Sequence, residues 1–194
     1  TARRSRSAAG APTRSASRCP ARLQSPAPTV LRTVIRGGRA VYRSPAAVDR
    51  RAPSAPRVSR TSATPCTAAA FEFLASKKFW DGSKCHRMTT QSIKVLQCGD
   101  PTAKGKGYRA SDGTGGPNFR YAEENLPTDT NKPYPAGSIA MANTGQPGST
   151  GSQFFIVYAD TDLPPDYTVF GTIVGGMDVL TKIGTGGSEP ANDG

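Results

Sequence analysis

One cation, three amides and a phenylalanine stand out in this chain. Cys85-His86-Arg87 sets a guanidinium in a strand-like run and Gln97 follows it. Ser138-Ile-Ala-Met-Ala-Asn143 and Gly151-Ser-Gln-Phe-Phe155 then supply Asn143, Gln153 and Phe155. Side chains of these types can hold a peptide unit by its backbone groups and seat an apolar ring. They can also place a fixed positive charge beside a nitrogen that becomes basic when amide resonance is lost. Such stabilisation needs no nucleophile or metal, only donors fixed where charge develops. The bland alternatives are a surface salt bridge for Arg87 and a place in the core for Phe155.

The elements that must position these groups are legible from about residue 65. Thr67–Ser76 reads as a helix, with Thr67 as N-cap and Ala70, Phe71, Leu74 and Ala75 as its apolar stripe. Asp81-Gly82 is a turn, and Lys84–Thr89 and Val95–Cys98 are strands. Residues 102–137 form a loop rich in Gly, Pro and Lys. Ser138–Ala142, Gln153–Tyr158 and Thr168–Val174 are further strands, and Met177–Ile183 is a short amphipathic helix ended by Gly184. Short strands, two helices and glycine corners together predict a mainly β fold, a closed antiparallel barrel with helices at its ends. On the strand of Arg87, His86 should point to the other face and serve as a structural hydrogen-bonder, and Phe154 should fill the core.

A length of 194 residues fits one domain with tails or two small domains. No apolar run reaches 18 residues, and no apolar segment follows the Arg-rich start, so no signal peptide is expected. The net charge of +11 is uneven: residues 1–65 hold 14 Arg and a single acid, Asp49, whereas the rest is slightly acidic. Residues 1–28 read as a disordered, basic Arg/Ala/Ser/Pro-rich tail. Thr29–Arg43 reads as a β-hairpin turning at Gly37-Gly38, residues 44–64 as an atypical loop, and 188–194 as a C-terminal tail. The basic stretch has three readings: a solvated tail, an arm for nucleic acid or another anionic surface, or GC-rich DNA translated out of frame. With Tyr42 as its only aromatic residue and no known module, nucleic acid is not the expected partner. The four cysteines, Cys19, Cys66, Cys85 and Cys98, show no CxxC spacing, so zinc is not expected. Cys85 and Cys98 flank one hairpin and could face each other, but four cysteines allow three full pairings and the sequence does not choose among them.

Residues 65–187 resemble the cyclophilins, the peptidyl-prolyl cis-trans isomerases. The resemblance rests on Cys85-His-Arg87, Gln97-Cys-Gly-Asp100, Gly113-Thr-Gly-Gly116, Glu123-Glu-Asn125, Ser138–Asn143, Gly151–Phe155 and Thr168-Val-Phe-Gly171, in that order. The cysteine-bearing segments look most like a bacterial branch found on exported or lipid-anchored proteins. Membership implies a closed eight-stranded antiparallel barrel capped by two helices, no cofactor, and an extracytoplasmic or membrane-anchored setting, with a cytoplasmic one left open. The implied activity is rotation about Xaa-Pro bonds in peptides and unfolded proteins, by a monomer. The alternative is a proline-peptide binding module with little turnover. The resemblance gives catalytic roles to Arg87, Gln97, Asn143, Gln153 and Phe155, and substrate contacts to Val95, Gly113, Ala142, Leu163 and Tyr167.

The chain departs from the family pattern in places. The turn between Arg87 and Gln97 is two residues longer than in the best-studied members, and Lys94, beside Ile93, replaces an aromatic pocket residue. Leu163 stands where cyclosporin-sensitive members carry Trp, which implies weak cyclosporin binding. Tyr167 stands where some members have a site His.

Overall fold

Strands here alternate between two buried faces, and the pairing register decides which residues share a face. The computed structural model describes residues 19–20 and 63–187, and the backbone of 32–36, 39–43 and 57–60. Its strands are β1 (Arg32–Arg36), β2 (Arg39–Arg43), β3 (Arg57–Arg60), β4 (Arg87–Met88), β5 (Val95–Cys98), β6 (Ser138–Met141), β7 (Phe154–Val157) and β8 (Val169–Gly175). The helices are α1 (Pro65–Ser76) and α2 (Met177–Gly186). Strands β3-β8-β6-β7-β5-β4 form one antiparallel sheet in that order, with β3 and β4 at its edges. No helix among the described residues is long and apolar enough to cross a membrane.

The expected hairpin forms, with Arg36 opposite Arg39, but β1 and β2 make a separate two-stranded sheet. The stretch read as loop contributes a strand, since β3 pairs with β8 through Ser59–Thr172 and Arg60–Gly171. The tails expected at 1–28 and 188–194 lie outside the described residues, apart from 19–20.

Directly paired residues present their side chains on one face. Arg87 pairs with Gln97, Gln97 with Phe155, Phe155 with Ala140, and Ala140 with Val169, so one row crosses five strands. The neighbouring row, Met88, Leu96, Ile156 and Ile139, faces the other way. It joins the main core with Phe154, Phe71 and Leu74 of α1, and Leu180 of α2. Phe154 is 3% exposed, so the prediction that it fills the core holds.

Helix α1 begins earlier than Thr67 predicts. Pro65 takes its first position, where a missing N–H costs nothing. Thr67 does not cap the helix: the Glu124 carboxylate accepts from the Cys66 and Thr67 N–H groups (3.0 Å each) and from the Thr67 hydroxyl (3.1 Å). A carboxylate at this end also complements the helix dipole. At the other end Lys78 turns left-handed (φ 53°) and the Phe79 N–H reaches back to the Leu74 carbonyl (3.0 Å). That turn delivers Trp80, 1% exposed, to the core.

Gly184 does not end α2, which runs on to Gly186. It is buried against the Tyr158 ring, where a Cβ would lie 2.4 Å from ring carbons. Its smallness therefore serves packing. Two disulfides, Cys19–Cys66 and Cys85–Cys98, account for all four cysteines.

Candidate active site

The site is built on the Arg87–Gln97–Phe155–Ala140 row. Arg87 lies on a two-residue edge strand, and one guanidinium nitrogen donates to Gln97 Oε1 at 3.5 Å. Gln97 Nε2 donates to Gln153 Oε1 (3.0 Å). Gln153 Nε2 in turn donates to the carbonyls of Gly113 (2.7 Å) and Gly115 (2.8 Å). Two backbone carbonyls can only accept, so the Gln153 amino group must face them. Its oxygen then faces Gln97, and the Gln97 oxygen faces Arg87. The direction of the whole chain is thus set by a loop.

That loop is held by a buried carboxylate. Asp100, with no exposed surface, accepts from the N–H groups of Gly113 (2.7 Å), Gly115 (3.2 Å) and Thr102 (2.7 Å). Burial alone would raise its pKa, but these bonds and the Thr102 hydroxyl hold it below the ordinary carboxylate value. Asp112 adds a second anchor, pairing with Lys84 (2.7 Å) and Arg109 (2.9 Å).

Beside this polar chain lies an apolar cluster. Val95, Tyr134, Ala140, Phe155 and Val157 are buried, with Ile93, Ala142, Leu163, Tyr167 and Val169 packed against them. Phe155 meets Tyr167 and Tyr134 edge-on, with centroids 5.4 and 6.0 Å apart. Ile93 belongs to this wall. The Lys94 ammonium folds back onto the carbonyls of Thr90 and Gln91, the latter at 2.5 Å. Of the two residues at the altered wall, the apolar one therefore faces the cluster.

Asn143 stands apart from the Arg87 chain. Its amide donates to the Asp166 carbonyl (3.0 Å) and accepts from the Gly145 N–H (2.9 Å), tying its own turn to the segment before Tyr167. It shares a pocket of about 140 Å³ with Gln97, Gly113, Ala142 and Gln153, which Arg120 also lines. Thus Gln97, Gly113, Ala142, Asn143 and Gln153 meet at one pocket, and Val95, Phe155, Leu163 and Tyr167 meet at the apolar cluster. Gln97, which pairs with both Arg87 and Phe155 across the sheet, joins the two groups.

Several supporting residues escape sequence reasoning. Tyr134 has no exposed surface; its hydroxyl accepts from the Tyr167 N–H (2.9 Å) and lies within donating distance of the Pro164 carbonyl (3.2 Å). Burial pushes this phenol up to about 12, so it remains a donor. Glu123 grips the glycine-rich turn through the Gly148 N–H (3.0 Å) and the Thr150 hydroxyl (3.2 Å). A Glu-Glu-Asn run gives no sign of these distant partners. Only the buried acid of Gln97-Cys-Gly-Asp100 offered a signal, because an acid after a buried strand needs donors.

His86 corrects an expectation. Neither of its buried ring nitrogens makes a hydrogen bond of good geometry among the described residues, and the neighbouring Gln153 side chain only raises its pKa, so the strong structural hydrogen bond expected of it is not formed. The ring lies near Gly113, where a Cβ would stand 3.3 Å from its Cδ2. Burial, aided by the Arg87 charge, lowers its pKa more than Asp100, Asp112 and the Gln153 side chain raise it. A histidine depressed in the fold takes up protons more readily when unfolded, so stability should fall as pH drops below about 6.5. His86→Gln should flatten the melting temperature between pH 5 and 6.5. An unchanged slope would show that His86 does not carry this dependence.

Comparison with known proteins gives a consistent answer. The family described as cyclophilin type peptidyl-prolyl cis-trans isomerase/CLD matches residues 60–193. A probable peptidyl-prolyl cis-trans isomerase B of Mycobacterium leprae is 46% identical over 142 residues, covering 67% of this chain and 45% of the relative. A protein of the same description from Mycobacterium tuberculosis is 48% identical over 136 residues, 64% of this chain and 41% of the relative. The chain therefore spans less than half the length of these curated relatives. A crystal structure of a Cryptosporidium parvum cyclophilin type peptidyl-prolyl cis-trans isomerase, in the presence of the dipeptide Ala-Pro, shares the fold. Its TM-score is 0.57 at 22% identity, over 72% of this chain and 84% of that one. With the family matched across residues 60–193, a range that holds this sheet's central strands and its amide-held arginine, the chain belongs to the cyclophilin-type peptidyl-prolyl cis-trans isomerases.

Proposed function

We propose that this protein accelerates cis-trans rotation about Xaa-Pro peptide bonds. One observation carries the reading: a guanidinium oriented by amides lies on the same sheet face as the Phe155 floor. Two strand spacings separate the two residues, roughly 10 Å, room for a prolyl ring on the apolar cluster with its nitrogen turned toward Arg87. The uncatalysed barrier is about 18–20 kcal/mol, and rotation takes tens to hundreds of seconds. Turnover of about 10–1000 per second needs roughly 4–7 kcal/mol of it removed.

Twisting the amide localises a lone pair on the proline nitrogen. Arg87 would donate to that lone pair, which the planar ground state lacks, and so favour the transition state selectively. Gln97 and Gln153 would orient the guanidinium. Asn143, Ala142, Gly113 and Gln153 would hold the substrate backbone, and Phe155, Val95, Leu163 and Tyr167 would seat the ring. Isomerisation of a Xaa-Pro peptide should be accelerated by catalytic amounts of the protein. Peptide binding without acceleration would make it a proline-peptide binding module.

The same reading takes proline-containing peptides and unfolded proteins as substrates. It also includes the eight-stranded closed barrel, with the β1–β2 pair available to complete the sheet. An extracytoplasmic or membrane-anchored setting fits two disulfides. Because Leu163 supplies no indole, cyclosporin should bind weakly, the lost aromatic contact removing part of its affinity. Nanomolar binding by titration would contradict this.

A further inference from the structure

The strand that carries Arg87 is the shortest of its sheet among the described residues. Strand β4 has two residues, lies at an edge and, among the described strands, pairs only with β5. The His86 N–H to Gln97 carbonyl and Thr89 N–H to Val95 carbonyl bonds flank it (3.0 Å each). Its far end is held from within, by Met88 in the main core and by the Tyr158 hydroxyl on the Thr89 carbonyl (2.6 Å), so the Cys85 end is the one that a short edge element leaves free to open. Yet the proposed chemistry asks Arg87 to hold one direction, through a 3.5 Å contact with Gln97.

The Cys85–Cys98 disulfide bridges this hairpin at its open end, with Cα atoms 4.0 Å apart. Cys85 lies two residues before Arg87, and Cys98 directly follows Gln97. Cys98 is 2% exposed, belongs to the main core and pairs with Phe154 of β7. One end of the crosslink is thus fixed in the interior, and the other holds the entry to β4. The second disulfide, Cys19–Cys66, packs instead with Ala70 and Tyr121.

We propose that the Cys85–Cys98 disulfide is a positioning element for Arg87, so that turnover depends on its oxidation state while the proline pocket does not. The pocket floor, Phe155 with Val95 and Val157, rests on β5 and β7 within the sheet. Reduction takes two electrons and two protons from an added dithiol, which closes to its own disulfide, and leaves two thiols on the protein. Freed of its crosslink, β4 frays and the guanidinium samples directions that miss the proline nitrogen. The proposal rests on the isomerase reading above.

The test uses the full chain and a Xaa-Pro peptide. In Cys19→Ala/Cys66→Ala protein, where Cys85–Cys98 is the only disulfide, reduction by a dithiol should lower kcat/KM by about tenfold, the scale of a small misplacement of a catalytic group. Reoxidation should restore it, and the Cys85→Ala/Cys98→Ala variant should match the reduced protein. Peptide affinity should stay within about twofold at full binding stoichiometry, the signature of an interaction made only in the transition state. Rates within about twofold before and after reduction would overturn the proposal. So would a loss of binding stoichiometry, or failure of both reduced protein and variant to fold, because the crosslink would then hold the domain rather than Arg87. If oxidised wild type shows no acceleration, the isomerase reading itself fails. If it is active and indifferent to reduction, only this proposal does.

Discussion

Replacing Arg87 with alanine should lower kcat/KM for a Xaa-Pro peptide by about 100- to 1000-fold, the usual cost of losing one preorganised donor. That corresponds to roughly 3–4 kcal/mol of transition-state stabilisation at 1.36 per decade. Peptide affinity should change only a few-fold, because the prolyl ring rests on the cluster around Phe155. Lysine at 87 should recover little. Its ammonium keeps the charge, but it lacks the planar fork that lets Gln97 fix one nitrogen while another faces the substrate. Gln153→Ala should fall between these and wild type, since it removes the acceptor that orients Gln97. Line-shape or coupled-cleavage measurements on the full chain give these rates. Equal rates for wild type and Arg87→Ala would sink the electrostatic mechanism and favour the binding-module reading.

Gly99→Ala should cost at least about 3 kcal/mol of stability, in the range of combined backbone strain and core overpacking. Gly99 sits at φ +95°, and a Cβ there would lie 2.4 Å from the Ser152 carbonyl oxygen and 2.8 Å from the Gln153 Cα. Both are backbone atoms, so no side-chain rotation relieves the clash. The Gly99 carbonyl also accepts from the Trp80 indole (3.0 Å) and the Ser152 hydroxyl (2.8 Å), so a shift would disturb the turn after α1 and the segment before β7 together. A melting temperature lower by roughly 10 °C or more is expected. A denaturant-derived loss below about 1 kcal/mol would show that the turn can relax.

What the sequence made legible is local. Val95-Leu-Gln-Cys98 and Ser138-Ile-Ala-Met-Ala142 announce strands by composition alone; β5 coincides with the first, and β6 ends one residue short of the second, at Met141. The candidate site residues were named from motif order, and their row across the sheet follows from pairing of those strands. Long-range partnerships were not legible. Arg57-Val-Ser-Arg60 offers a single apolar side chain in an Arg- and Ser-rich stretch, and becomes a strand because β8 has an open edge beside it. Thr67 looked like a cap because nothing in Glu124 indicates that its carboxylate reaches the start of α1. Gly184 looked like a helix stop because the Tyr158 ring that needs the space comes from another element. Tyr134 lay in a loop with no periodicity to mark it as the support under Tyr167. In each case the deciding neighbour is distant in sequence, where tertiary context overrides local propensity.

Trp80 is the chain's one tryptophan. Its indole is 1% exposed, 4.9 Å from the Phe71 ring, and donates to the Gly99 carbonyl. The chain therefore carries its single indole in its core and none at its proposed binding surface, where Leu163 stands. Emission from Trp80 should shift to the red on unfolding and stay nearly constant while a peptide is titrated, so one optical signal separates loss of structure from occupancy.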